Sequence, residues 1–151
     1  MATVKQHSDH EEGAALATLP PDYHPSVKED YMCPKHLEYF RLKLEDWKAE
    51  LLHESIETIH HMQAETHNEP DLADRATTET DRAFELRTRD RERKLINKIN
   101  DALMRIHDGS YGYCEETDEP IGLARLEARP IATLCLEAQE RHERDEKVHS
   151  D

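Results

Sequence analysis

Two cysteines in the C-terminal third, Cys114 and Cys135, carry the most specific chemistry in this chain. Cys114 stands in Gly112-Tyr113-Cys114-Glu115-Glu116-Thr117, and Cys135 in Thr133-Leu134-Cys135-Leu136-Glu137-Ala138. Two C-x-x-C pairs across such a spacer would gather four thiolates around a tetrahedral zinc ion. The positions that would complete the two pairs hold Thr117 and Ala138 instead. Two thiolates alone make a poor structural zinc site, and three readings stay open. One is a half-emptied knuckle held by apolar packing. Another is a mixed site that recruits His107, His142 or a carboxylate. The third is a pair of neighbouring thiols able to oxidise to a disulfide. The first leads, with Ile121, Leu123, Leu126, Ile131, Leu134 and Leu136 available to supply what a metal contributes to folding. No cofactor is then required, and no stably held zinc is expected.

Other reactive residues give weaker patterns. Asp71 and Asp74 follow Pro70 in His67-Asn68-Glu69-Pro70-Asp71-Leu72-Ala73-Asp74-Arg75-Ala76. From the residues alone they read first as helix caps, although acidic groups on a slender rod can also act near a metal ion. Arg87, Arg89, Arg91, Arg93, Lys94 and Lys98, interleaved with Asp90 and Glu92, read as a solvated face or as a seat for a phosphate-bearing ligand. Cys33 has no sequence partner and reads as a helix-start residue rather than a ligand. His60 and His61 lie mid-helix without an H-E-x-x-H pattern, and the other histidines read as solvent-facing. Phosphate loops, nucleophile elbows and paired-acid motifs are absent, so the chain is not expected to be an enzyme.

Long elements must position these groups. Among 151 residues, 36% are apolar, 36% charged and 5% aromatic, which favours exposed helices over a thick core. The net charge of −14 repels nucleic acid and suits a partner with a basic cleft or channel. No stretch is apolar enough to span a membrane, and Met1 to His7 lacks the core of a signal peptide. Three cysteines provide no disulfide framework. A cytoplasmic protein is expected.

The expected fold is mainly α: a long antiparallel helical hairpin, a small zinc-ribbon-like head and a C-terminal helix. Residues 1–34 form an arm broken by Pro20, Pro21 and Pro25, either mobile or docked in pieces. Residues 35–108 form the hairpin, with its tip near 68–76 and its turn across 67–76. Leu37, Phe40, Leu44, Trp47 and Leu51 step by three and four along its first arm. Phe84, Leu95, Ile96, Ile99, Leu103 and Ile106 mark the second, and Asp108-Gly109 stops it. The packing thins toward the tip. Residues 109–134 form the head, in which Glu119-Pro120-Ile121-Gly122 reads as a turn between short strands, and residues 135–151 the last helix and tail. An arm of about 33 residues would extend roughly 50 Å as helix.

The run 85–96, the phrase Gly112-Tyr113-Cys114 and the phrase Arg125-Leu126-Glu127-Ala128-Arg129-Pro130 together resemble the DksA family of bacterial RNA polymerase-binding transcription regulators. The resemblance covers roughly residues 30–145, and the missing cysteines place the chain with a reduced-cysteine branch. It implies a factor that binds RNA polymerase rather than DNA, and a hairpin that satisfies its own seam is expected to be a monomer. Its hairpin would enter the secondary channel of RNA polymerase, and its tip (Asp71, Asp74, Ala76) would approach the catalytic magnesium. It further implies control of initiation with the alarmone ppGpp, for which Arg91, Leu95 and Lys98 match binding positions, while Gln139 stands where the family has a lysine. The alternatives are a transcript-cleavage factor sharing the acidic-tipped hairpin, and a coiled-coil scaffold.

Overall fold

The structure, a computed structural model, describes residues 17–65 and 72–150. Helix α1 (Pro34–Glu65) and helix α2 (Leu72–Asp108) lie against each other as the hairpin. At 1.5 Å per residue they run roughly 48 and 55 Å. The helix α3 (Leu123–Ala128) and the helix α4 (Leu136–His149) belong to the head. The turn expected across 67–76 gives way to helix at Leu72, because Pro70 restricts only the residue before it and nothing after it opposes helix.

The hairpin root is the core of the molecule. Phe40 and Leu44 of α1 and Ile99 and Ala102 of α2 are fully buried, flanked by half-buried Leu37, Trp47, Leu95, Ile96, Leu103 and Ile106. Toward the tip the packing fails as expected. Among the described residues, no side chain at 52–64 or 75–98 is fully buried. Phe84, expected on the apolar stripe, is 68% exposed, because the opposing stretch of α1 offers Glu57, Thr58 and His61 rather than a hydrophobic partner.

Tyr111 joins root to head. Its ring packs on Phe40 with centroids 5.7 Å apart, and its hydroxyl donates to the Pro130 carbonyl at 2.7 Å. Ile121, Leu126, Ile131, Ala132 and Ala138 complete an apolar cluster with the two cysteines. Leu136, expected among them, is 58% exposed, since it begins α4 on the outer side. Two strands were expected in the head, and the described residues contain only a single antiparallel bridge there, Tyr113 with Pro120. The Cys114 amide donates to the Glu119 carbonyl and the Ile121 amide to the Gly112 carbonyl, each at 2.8 Å. The pair between them exchanges no hydrogen bond, which is the one place in a ladder where proline costs nothing. The chain therefore reverses before residue 119, through Asp118 at φ 58°, and not at 119–122.

Residues 17–33 dock on the body. The Tyr31 hydroxyl donates to the Gly112 carbonyl at 2.7 Å and accepts from the Gly122 amide at 2.9 Å. Met32 covers Gly112 so closely that a Cβ there would meet the Met32 sulfur at 2.7 Å, and Gly112 also holds a left-handed φ of 90°. Tyr23 meets Tyr39 edge to face. The Tyr39 hydroxyl in turn donates to Glu127 at 2.5 Å, and Lys43 donates to the same carboxylate at 2.9 Å. Partial burial of Glu127 is outweighed by these two donors, so its carboxyl stays below the usual range. Hairpin, head and arm thus converge at one end of a rod whose other end is lightly packed.

Candidate functional site

Of the proposed tip residues, Asp74 and Ala76 belong to the stretch of α2 farthest from the root. Asp71, and the side chain of Asp74, fall outside the described residues. The backbone at Asp74 and Ala76 lies in the first two turns of α2, and Ala76 is exposed. Lys98 follows 24 positions after Asp74, so the tip and the root stand roughly 36 Å apart along the helix.

At the root, a cleft of about 340 Å³ opens between α2 and the head. Lys98, Arg105, Arg125 and Arg129 line it against only two carboxylates, Asp101 and Glu115. In a chain of net charge −14, this is a local excess of positive charge. Arg105 reaches Glu115 at 3.6 Å, while its buried Nε has no hydrogen-bond partner. Arg125 is held by the Leu134 carbonyl at 3.0 Å. Gln139 also lines the cleft. Of the three sequence candidates, only Lys98 faces it. Leu95 packs against the core one turn earlier, and Arg91 is exposed two turns earlier on the same face. Arg105, Arg125 and Arg129 were not picked out from the sequence. The Arg125-to-Pro130 phrase drew notice only as a pattern, and nothing local shows that α3 folds back over α2.

The two cysteines share neighbours in the head. Cys114 and Cys135 are buried free thiols. Burial pushes the Cys114 thiol up, but the Thr117 hydroxyl and the amides of Cys135, Thr117 and Glu116 together bring it down to about 6. Thr117 Oγ1 lies 3.8 Å from Cys135 Sγ, and Ala138 is fully buried. Neither expected recruit joins them. His142 is turned to the Glu116 carboxylate, which raises its pKa, and His107 is exposed at the end of α2.

Comparison with known proteins decides the family. Residues 36–106 match the DnaK suppressor protein DksA, N-terminal domain, and residues 109–144 match the prokaryotic dksA/traR C4-type zinc finger. A protein of Caulobacter vibrioides strain NA1000 named RNA polymerase-binding transcription factor DksA is 68% identical over 130 residues, covering 86% of this chain and 92% of its own. This chain belongs to the DksA family. The Escherichia coli K12 protein of the same name is 46% identical over 125 residues, covering 83% and 82%. The structure of transcription factor DksA2 from Pseudomonas aeruginosa aligns with a TM-score of 0.74 at 39% identity, covering 82% of this chain and 93% of that one.

The DksA zinc finger is described as C4-type, and the residues here do not fit that ion. Only two of the four thiolates exist, Ala138 offers no donor, and among the described residues no third His, Cys, Asp or Glu ligand gathers at Cys114 and Cys135. The one such trio among the described residues lies elsewhere, at Glu29, Cys33 and His36. His36 contradicts the expectation of solvent-facing histidines. It is fully buried, and neither ring nitrogen has a hydrogen-bond partner. Leaving a buried polar group unpaired costs about 1–3 kcal/mol. The sequence signal was available: His36 precedes Phe40 and Leu44 by four and eight positions, on the buried face of α1.

Proposed function

We propose that this protein regulates transcription initiation by binding RNA polymerase directly, without binding DNA and without catalysing a reaction itself. The observation that carries this reading is the 68% identity, across 92% of its length, to a protein named as an RNA polymerase-binding transcription factor. The shape gives it a mechanism. A rod of two helices, wide only at its root, can pass singly into the secondary channel, and the chain acts as a monomer because the hairpin satisfies its own seam. The head and docked arm limit insertion at the outer end. The acidic residues Asp71 and Asp74, with Ala76, then arrive near the catalytic magnesium and alter the stability of initiating complexes.

The cleft at the root is the proposed seat for ppGpp at the polymerase interface. Its excess of guanidinium and ammonium groups suits a polyphosphate. Lys98 and Arg129 supply charge, Arg91 and Leu95 extend the same helix face toward polymerase, and Gln139 leaves the cleft one cation poorer than its lysine-bearing relatives. No step runs through zinc in the head.

The test is transcription in vitro from a stable-RNA promoter with purified polymerase. Asp74→Asn should bind polymerase nearly as well as the parent and lose promoter inhibition. A variant that inhibits as strongly as the parent would overturn the tip's role. Stimulated RNA cleavage in stalled complexes would point to a cleavage factor instead.

A further inference from the structure

We propose that Glu29, Cys33 and His36 form a binding site for a divalent transition-metal ion of the zinc class, separate from the degenerate knuckle. Their ligand atoms all lie within 4.8 Å of one another, and His36 Nε2 is 3.8 Å from Glu29 Oε1. Zinc bonds of about 2.0–2.3 Å place neighbouring ligands of a tetrahedron roughly 3.5 Å apart, so small side-chain movements would close the trio on an ion. Thiolate, imidazole and carboxylate are all zinc ligands, and three protein donors leave a fourth position for water.

Three further observations support a built site. The first is His36 itself, a completely buried imidazole whose two nitrogens have no partner, aimed at a carboxylate. The neutral ring has one N–H donor and one lone-pair nitrogen, and both are left without a partner. The second is the support behind Glu29. The Tyr23 hydroxyl donates to its two oxygens at 3.0 and 2.9 Å, and the Ser26 amide donates to Oε1 at 3.2 Å. Such outer partners orient a metal-binding carboxylate. The third is the backbone. The Glu29 amide donates to the Ser26 carbonyl and the Cys33 amide to the Asp30 carbonyl, and Met32 takes a left-handed φ of 55° just before Cys33. These turns bring residue 29 back over the start of α1, where Cys33 stands just before the helix and His36 lies in its first turn, three positions on.

Binding would release the Cys33 proton to solvent and leave His36 neutral, so the ion would be held by one thiolate, one carboxylate and one imidazole. It would clasp the arm to α1 on either side of Tyr31 and Met32, the two residues that dock on Gly112 and Gly122 of the head.

Cobalt(II) titration of the reduced, metal-free full chain tests this. One equivalent should produce a thiolate-to-cobalt charge-transfer band with tetrahedral visible bands, displaced by zinc. The Cys114→Ser/Cys135→Ser variant should keep the signal. Cys33→Ser should lose the charge-transfer band, His36→Gln should weaken binding, and Tyr23→Phe should weaken it roughly tenfold through Glu29. Far-UV circular dichroism reports whether the variants fold. Should Cys33→Ser or His36→Gln fail to fold, the parent, the Cys114/Cys135 variant and the half-exposed Glu29→Gln still decide. No thiolate band in the parent, or a band lost with Cys114 and Cys135 and kept without Cys33, would overturn the proposal.

Discussion

Thr117 Oγ1 lies 3.8 Å from Cys135 Sγ, so a hydroxyl occupies the neighbourhood in which a C4 knuckle needs a third sulfur. Ala138, at the position of the fourth sulfur, is fully buried beside the two buried thiols. Restoring the donors should therefore restore the ion. Thr117→Cys/Ala138→Cys is expected to bind one zinc per chain more than the parent, measured by elemental analysis after dialysis, and to melt at a higher temperature until chelator is added. An unchanged zinc content would mean the knuckle backbone has lost the metal geometry.

Stability should be concentrated at the root. Phe40→Ala removes a fully buried ring that touches Tyr111 and is expected to cost about 3–5 kcal/mol. Phe84→Ala, at 68% exposure, should stay within about 0.5 kcal/mol of the parent. Urea unfolding of the two variants compares them directly. Equal losses would contradict a rod that is firm at one end only.

Alkali should loosen the junction of arm, hairpin and head. Burial and the hydrogen bond to Glu127 push Tyr39 up to about 12, and burial and Glu29 push Tyr23 to about 12. Tyr31 is also raised, chiefly by burial. A phenol whose folded pKa exceeds its unfolded value of about 10 stabilises the fold below pH 10 and loses that contribution as pH rises through the folded value. Urea midpoints should therefore fall between about pH 10 and 12, together with phenolate absorbance. Tyr39→Phe should flatten part of that fall, and a parent midpoint that holds steady through this window would count against these contacts.

Charge in the root cleft should set the alarmone response. Arg129→Ala and Lys98→Ala should weaken the ppGpp effect on polymerase bound to this protein, without weakening inhibition in its absence. Gln139→Lys adds one cation, and a charge-assisted contact worth about 1.5 kcal/mol would strengthen the response roughly tenfold. Dose–response curves of promoter inhibition measure both. No change with any of the three would mean that the cleft does not seat ppGpp.

The seam from Leu37 to Leu51 was legible because a buried helix face imposes its period on the sequence whatever it packs against. Thinning toward the tip was legible for the same reason, as the period persists there with weaker residues. Phe84 misled because hydrophobicity marks a residue that could be buried and does not reveal whether a partner faces it. Pro120 misled because turn chemistry was read without the pairing that accommodates it. Tyr31, Arg105 and Arg129 were out of reach. Tyr31 hydrogen-bonds to Gly112 across 81 positions, and the cleft exists only once the head folds over α2. His36 carried a periodic signal that a polar name concealed.

The proposed function requires the hairpin tip to reach the polymerase active centre. Iron(II) substituted for the catalytic magnesium generates hydroxyl radicals that cut only the nearest backbone. In the complex of polymerase with this protein, cleavage is expected around residues 71–76 and nowhere near the head. Cuts in the head, or an uncut chain in a complex that demonstrably forms, would mean that the tip does not reach the catalytic magnesium.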